Sequence, residues 1–143
     1  ADPENPEQVS DAEIGRWRST PGVELVGRIS DVASFWASVH IACLPSRGGE
    51  GLPRSLLEAA ACARPIVSTD APGCIDFVGD QAGIVVRRDD EAALRNAIET
   101  LAFDGELRRS LGARGCARVE SAYTTGHAAA QAAPAWARVK RRA

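Results

Sequence analysis

The chain has 143 residues, of which 45% are hydrophobic and 25% charged, and a formal net charge of −2. That size and balance fit one soluble globular domain with a real core. They argue against a general nucleic-acid binder, which would be strongly basic, and no apolar run approaches the roughly 18 residues of a membrane span.

Nor is there a basic-then-apolar leader, so no signal segment is expected. The chain begins at Ala1 and contains no methionine, which suggests a processed chain or a piece of a longer one. Cys43, Cys62, Cys74 and Cys116 form no C-x-x-C pair and have no histidine at zinc spacing. Cys43 and Cys62 lie in apolar segments, where cysteine behaves as a small hydrophobe. Reduced thiols in a cytosolic protein follow from this usage.

Residues 1–9 are rich in Pro, Asp, Asn and Glu and read as a loop. Ser10 and Glu13 have capping-box spacing and open a short helix through Trp17, stopped by Pro21-Gly22. Val23 to Val26 is a strand candidate. Asp31 then caps a helix whose Val32, Phe35, Trp36 and Val39 share one face. His40 to Leu44 is a strand. Pro53 to Cys62 is a helix with proline in its first turn; its expected core face is Leu56, Leu57, Ala60 and Ala61, with Ser55, Glu58 and Cys62 on another.

Pro65 to Ser68 is a further strand, Pro72 to Val78 a short helix or turn, and Gly83 to Val86 another strand. Asp89 or Asp90 caps a helix carrying Leu94, Ile98 and Leu101. Asp104 starts another, with Leu107 and Leu111 on one face. From Thr124 an alanine-rich helical tail follows, which Pro134 should break or kink. Short unbroken apolar strands alternating with helices indicate an α/β domain, a Rossmann-like parallel sheet with helices on both faces. The expected division is a Rossmann-like domain over 1–123 and a helical tail over 124–143.

In open α/β sheets, ligands bind beyond the carboxyl ends of the strands. Ser46 to Leu52 follows such an end and leads into the helix at Pro53. A helix start offers free N–H groups and partial positive charge, which suit a phosphate. Gly48, Gly49 and Gly51 let backbone approach a ligand closely. Glu50 precedes the helix, and Glu58 lies roughly 8 Å along its axis from Pro53 at about 1.5 Å per residue. The two carboxylates flank the anion site and accept hydrogen bonds from sugar hydroxyls. A phosphate with hydroxyl-rich groups on either side describes a nucleotide-sugar. On spacing alone, a solvated Glu58 and a loop charge at Glu50 explain the same residues, since a glycine-rich loop before a helix is a weak signal.

The whole stretch PSRGGEGLPRSLLEAAACARPIVSTDAPGC, residues 45–74, is more specific. It resembles the signature segment of retaining GT-B glycosyltransferases (glycosyl transferases group 1), the large family that includes polysaccharide and lipopolysaccharide synthases. The hallmark is two glutamates separated by seven residues, here Glu50 and Glu58. VELVGRISDV at 23–32 resembles the segment beside the nucleobase, and AGIVVRRDDEAALRNAI at 82–98 the strand and helix that follow.

The resemblance implies roles. Glu50 is the catalytic candidate and contacts donor-sugar hydroxyls. Glu58 binds the ribose. Gly51 and Leu52 amides hold the diphosphate, beside Gly48 and Gly49, and Arg28 and Ile29 lie near the base. The donor is a UDP- or GDP-linked sugar, with no cofactor and no metal. Transfer of a hexose or amino-hexose to a glycan or lipid-linked acceptor is implied.

Ala63 departs from the family pattern, standing where glycine is usual. The family also has a preceding strand–helix–strand with a G-R-x-x-x-x-K-G-like diphosphate clamp and an amino-terminal acceptor domain. Neither lies within these 143 residues, so the chain alone is expected to be incomplete and inactive. In the strand order 3-2-1-4-5-6, Val23–Val26 would be strand three. Without strands one and two an exposed sheet edge is expected, inviting self-association.

Two other readings compete, a GT-B sugar-nucleotide epimerase and a non-catalytic doubly wound interaction domain. Fold alone does not separate these; the Glu50–Glu58 segment does. His40 and His127 have no catalytic partner in view. Asp70, Asp76 and Asp80 read as turn and capping residues. The basic end with Arg138, Lys140, Arg141 and Arg142 reads first as a solvated helix end, the alternative being peripheral contact with anionic lipid at the inner face of the membrane. Localisation is expected to be cytoplasmic, with no nucleic-acid partner.

Overall fold

The computed structural model describes residues 9–48 and 51–140, the side chains of 134–140 excepted. The chain divides into two compact units, residues 1–30 and 31–143.

In the first unit, α1 spans Asp11–Arg18. Its capping box is complete: Ser10 Oγ accepts from the Glu13 backbone N–H, and the Ser10 backbone N–H donates to the Glu13 carboxylate at 3.0 Å. The Ser10 hydroxyl, donating to the same carboxylate at 2.7 Å, and then the Ser10 backbone N–H hold the Glu13 carboxyl below its usual range. Val23–Val26 is not a strand, contrary to the apolar pattern. Val23, Leu25 and Val26 remain 44%, 42% and 51% exposed. An extended segment is held by ladder hydrogen bonds and burial of one face, and this one has neither.

The second unit carries α2 (Val32–Ser38), β1 (Ala42–Leu44), α3 (Arg54–Ala61), β2 (Ile66–Thr69), α4 (Pro72–Val78), β3 (Gly83–Val86), α5 (Glu91–Phe103), α6 (Gly105–Ala122) and α7 (Thr125–Lys140). The three strands form a parallel sheet in the order β1-β2-β3. Ala42 pairs with Ile66, and Ile66 pairs with Gly83. Parallel strands require crossovers, which α3 and α4 supply.

β2 is the central strand and is buried throughout. Its successive side chains point to opposite faces and serve two cores. Ile66 packs with Leu56, Ala59, Ala60, Phe77 and Val78 from α3 and α4. Val67 packs with Ala97, Leu101 and Leu111 from α5 and α6. The expected α/β layering with helices on both faces is therefore present.

Several expectations shift in detail. β1 begins at Ala42 rather than His40, and β2 runs Ile66–Thr69. In α3 the buried residues are Leu56, Ala59 and Ala60; Leu57 packs against this core partly buried, and Ala61 is exposed. Asp90, not Asp89, caps α5 by accepting from Ala93 N–H at 2.8 Å; Asp89 sits at φ 60°.

All four cysteines are free, but Cys43 is exposed rather than core. It faces outward on β1, which pairs only with β2 among the described residues. α7 runs through Pro134 as one assigned helix; the proline interrupts no secondary structure there. Arg141, Arg142 and the side chains of Arg138 and Lys140 lie outside the described residues. No helix among the described residues is long and apolar enough to cross a membrane.

Candidate donor site at the start of helix α3

The loop leaving β1 is tied down at its root. Ser46 N–H donates to the Leu44 carbonyl at 3.0 Å, Thr69 Oγ1 donates to the Ser46 carbonyl, and Gly48 N–H donates to Ser46 Oγ at 3.2 Å. Gly48 has φ 122°, a conformation that side-chain-bearing residues rarely adopt. Gly49 and Glu50 lie outside the described residues.

At its far side the loop is set by Gly73, near the start of α4. A Cβ on Gly73 would run into the backbone of Gly51 and the N of Leu52. Glycine at 73 therefore lets the Gly51–Leu52 backbone lie directly against α4. Beside the Gly51 Cα itself the described residues leave open space.

Helix starts differ across the molecule in a way that bears on this loop. Ser10, Asp31, Asp90 and Asp104 cap α1, α2, α5 and α6 with side-chain oxygens. Pro53 and Ala71 begin α3 and α4 with no side-chain cap and no acidic residue in the first turn. The Gly73 contact brings these two uncapped starts together. Arg54 stands in the first turn of α3, where a cation opposes the helix dipole.

Glu58 is partly buried on α3. Its side chain is 29% exposed and pairs with Arg54 Nε at 2.8 Å, while Arg54 is 90% exposed. An exposed i,i+4 pair of this order is worth only a few tenths of a kcal/mol, so Arg54 holds the carboxylate lightly. Gly51, Leu52 and Glu58 are thus collected around one helix start. Arg28 and Ile29 belong to the first unit.

Asp70 is not the turn or capping residue the sequence suggested, since Ala71 takes the cap position of α4. Its carboxylate accepts from Arg88 N–H at 2.9 Å and from Arg88 Nε at 3.1 Å. The Arg88 backbone bond, with the guanidinium behind it, lowers the Asp70 carboxyl below its ordinary value of 3.8. Arg88 Nη1 also donates to the Arg47 carbonyl at 3.3 Å, and Arg47 Nε pairs with Asp89 at 3.0 Å.

Sequence reasoning missed Thr69, Asp70, Gly73 and Arg88. The signal for Asp70–Arg88 was strand register: once Thr69 pairs with Val86, the residues just beyond both ends must be neighbours. A cavity of about 390 Å³ opens here, lined by Ser46, Arg47, Thr69, Val86, Asp90 and Leu94. It lies on the α5 side and is not lined by Gly51, Leu52 or Glu58. The polar geometry at α3, rather than this cavity, defines the candidate site.

A parallel sheet covered by helices, with a glycine loop running into an uncapped helix, fits a Rossmann-like glycosyltransferase fold. Comparison with known proteins agrees: residues 2–104 match the family described as glycosyl transferases group 1, and the chain belongs to that family. It is 32% identical over 106 residues to the capsular polysaccharide biosynthesis glycosyltransferase CapM of Staphylococcus aureus, covering 73% of this chain and 28% of CapM.

It is 31% identical over 127 residues to a GDP-mannose-dependent monoacylated alpha-(1-6)-phosphatidylinositol monomannoside mannosyltransferase of Corynebacterium glutamicum, covering 77% of this chain and 33% of that protein. An N,N'-diacetylbacillosaminyl-diphospho-undecaprenol alpha-1,3-N-acetylgalactosaminyltransferase of Campylobacter jejuni is 33% identical over 90 residues, covering 62% of this chain and 24% of that protein. The chain thus spans a quarter to a third of the length of these relatives.

Proposed function

We propose that this chain is the nucleotide-sugar-binding part of a retaining glycosyltransferase that transfers a hexose or amino-hexose to a glycan or lipid-linked acceptor in polysaccharide synthesis. The observation that carries the reading is the uncapped start of α3, entered through Gly51-Leu52 and flanked by Glu58. The donor diphosphate sits on the Gly51 and Leu52 amides and the positive end of α3. That charge is in place before reaction, so it stabilises the leaving diphosphate without reorganisation.

Glu58 exchanges its light contact with Arg54 for the ribose hydroxyls, and Glu50 receives the sugar hydroxyls. Two of the relatives act, by name, on lipid-carried glycans or inositol lipids, which favours a lipid-linked acceptor here. The basic end of the chain is suited to the anionic membrane surface carrying it.

Calorimetric titration of the chain with UDP-glucose, UDP-N-acetylglucosamine and GDP-mannose tests the reading. Binding of one of them is expected, weakened about tenfold or more by Glu58→Gln, since a lost hydrogen bond involving a charged group is worth about 1.5–3 kcal/mol. No heat with any of the three at millimolar ligand would defeat it.

A further inference from the structure

The structure assigns Arg88 a positioning role: it braces the root of the glycine loop, Ser46–Gly48, from the end of β3. This rests on the donor-site reading above and extends it to residues that touch no part of the donor. The last residue of β2 and the one after it hold two successive carbonyls of the loop. Thr69 reaches the Ser46 carbonyl directly. Asp70 reaches the Arg47 carbonyl through Arg88.

Asp70 is itself placed by continuation of the ladder, its N–H donating to the Val86 carbonyl at 2.9 Å. It then grips Arg88 by backbone and side chain together, so the guanidinium has little freedom left when it meets Arg47. The Gly48 Cα stands close to this guanidinium, a Cβ there lying 3.9 Å from Arg88 Nη1. The guanidinium spreads its donors over a planar fork, so Nε meets the Asp70 carboxylate while Nη1 meets the Arg47 carbonyl.

Ordering a glycine-rich loop costs about 1–2 kcal/mol per residue in backbone entropy. A loop whose root is fixed beforehand has less of that cost to meet when the donor binds. The brace therefore sharpens affinity for the sugar, which faces this loop, and not for the nucleotide, which faces α3.

Two readouts on the full chain test it, with Arg88→Ala, Arg88→Lys and Asp70→Asn. The first is amide hydrogen exchange of Gly48, with Val67 and Ile84 in the sheet as internal controls. Arg88→Ala should speed Gly48 exchange about tenfold, equal to about 1.4 kcal/mol, with Val67 and Ile84 unchanged. Arg88→Lys should restore part of the protection, and Asp70→Asn should fall between. The second is the affinity of a sugar nucleotide compared with the free nucleotide, which Arg88→Ala should lower for the former alone.

Gly48 exchange that stays put in Arg88→Ala, or rises only in step with Val67 and Ile84, overturns the brace. So does an equal loss of affinity for nucleotide and sugar nucleotide. A native chain that binds no sugar nucleotide defeats the donor-site reading instead, and the exchange comparison then decides the brace by itself.

Discussion

Replacing Ala63 by glycine should make the fold more stable, although it removes a methyl group. Ala63 follows α3 at φ 54°. Its N–H donates to the Ala60 carbonyl at 2.8 Å, and the Arg64 N–H donates to the Ala59 carbonyl at 3.0 Å. Those two bonds are the Schellman closure of a helix, whose left-handed residue is normally glycine. An L-residue with a Cβ costs about 1–2 kcal/mol in that region.

The turn has no room to relax away from the cost. α6 crosses directly over it, and a Cβ on Gly112 would run into the Ala63 carbonyl. The Ala63 side chain is exposed, so its removal forfeits little packing. Against the gain stands the larger unfolded-state entropy of glycine, about 0.4–1 kcal/mol. The balance is a stabilisation of about 0.5–1 kcal/mol.

With a urea m-value of about 1–3 kcal/mol/M, the midpoint should rise by about 0.2–1 M, read by far-ultraviolet circular dichroism. Ala61→Gly is the matched control. Ala61 is exposed in the last turn of α3, and glycine within a helix costs up to about 1 kcal/mol. Opposite signs at residues 61 and 63 are expected. An unchanged or lowered midpoint for Ala63→Gly would refute the argument, because it would mean that the left-handed conformation carries no penalty here.

Gly73→Ala should destabilise the chain by about 1–3 kcal/mol, the usual range for an added methylene group with nowhere to go, and should also weaken donor binding because Gly51 and Leu52 must shift; unchanged stability in a urea titration would show that the loop does not rest on α4. Asp70 predicts an acid effect. Its folded pKa is lowered, so its contribution is present above its ordinary value of 3.8 and disappears as pH falls through the lowered folded value. The stability gap between native chain and Asp70→Asn should therefore be constant near neutrality and close below about pH 4; a gap that persists at pH 2 would show that the carboxylate charge is not its source. β1 is an edge strand with exposed Cys43, and self-association through that edge should give an average mass that climbs with concentration in light scattering; a constant monomer mass would remove it.

The layered α/β fold was legible because each signal was local. Asp31 and Asp104 read directly as caps, and Leu94, Ile98 and Leu101 as one helix face; the structure keeps all of them. Where reading failed, the deciding interaction was non-local. Val23–Val26 has the composition of a strand, but being a strand depends on a neighbour that sequence pattern does not specify. Ala59 rather than Ala61 is a core residue because the sheet and α4, with which Ala59 shares one core, are not specified by the helical period of α3.

The site divides along the same line. Glu58 could be placed on a helix from local pattern alone, because the start and period of α3 lie in one short stretch. Asp70 and Arg88 are 18 residues apart; Asp70 read as a turn or capping residue, and no local pattern tied Arg88 to it. They become one device only when parallel register sets the ends of β2 and β3 side by side. The family motif thus marks the loop and helix of the candidate site, while the residues that hold the loop come from strand ends whose pairing the motif does not encode. Mutating within the motif tests the chemistry, and mutating Arg88 or Gly73 tests whether the fold prepares it.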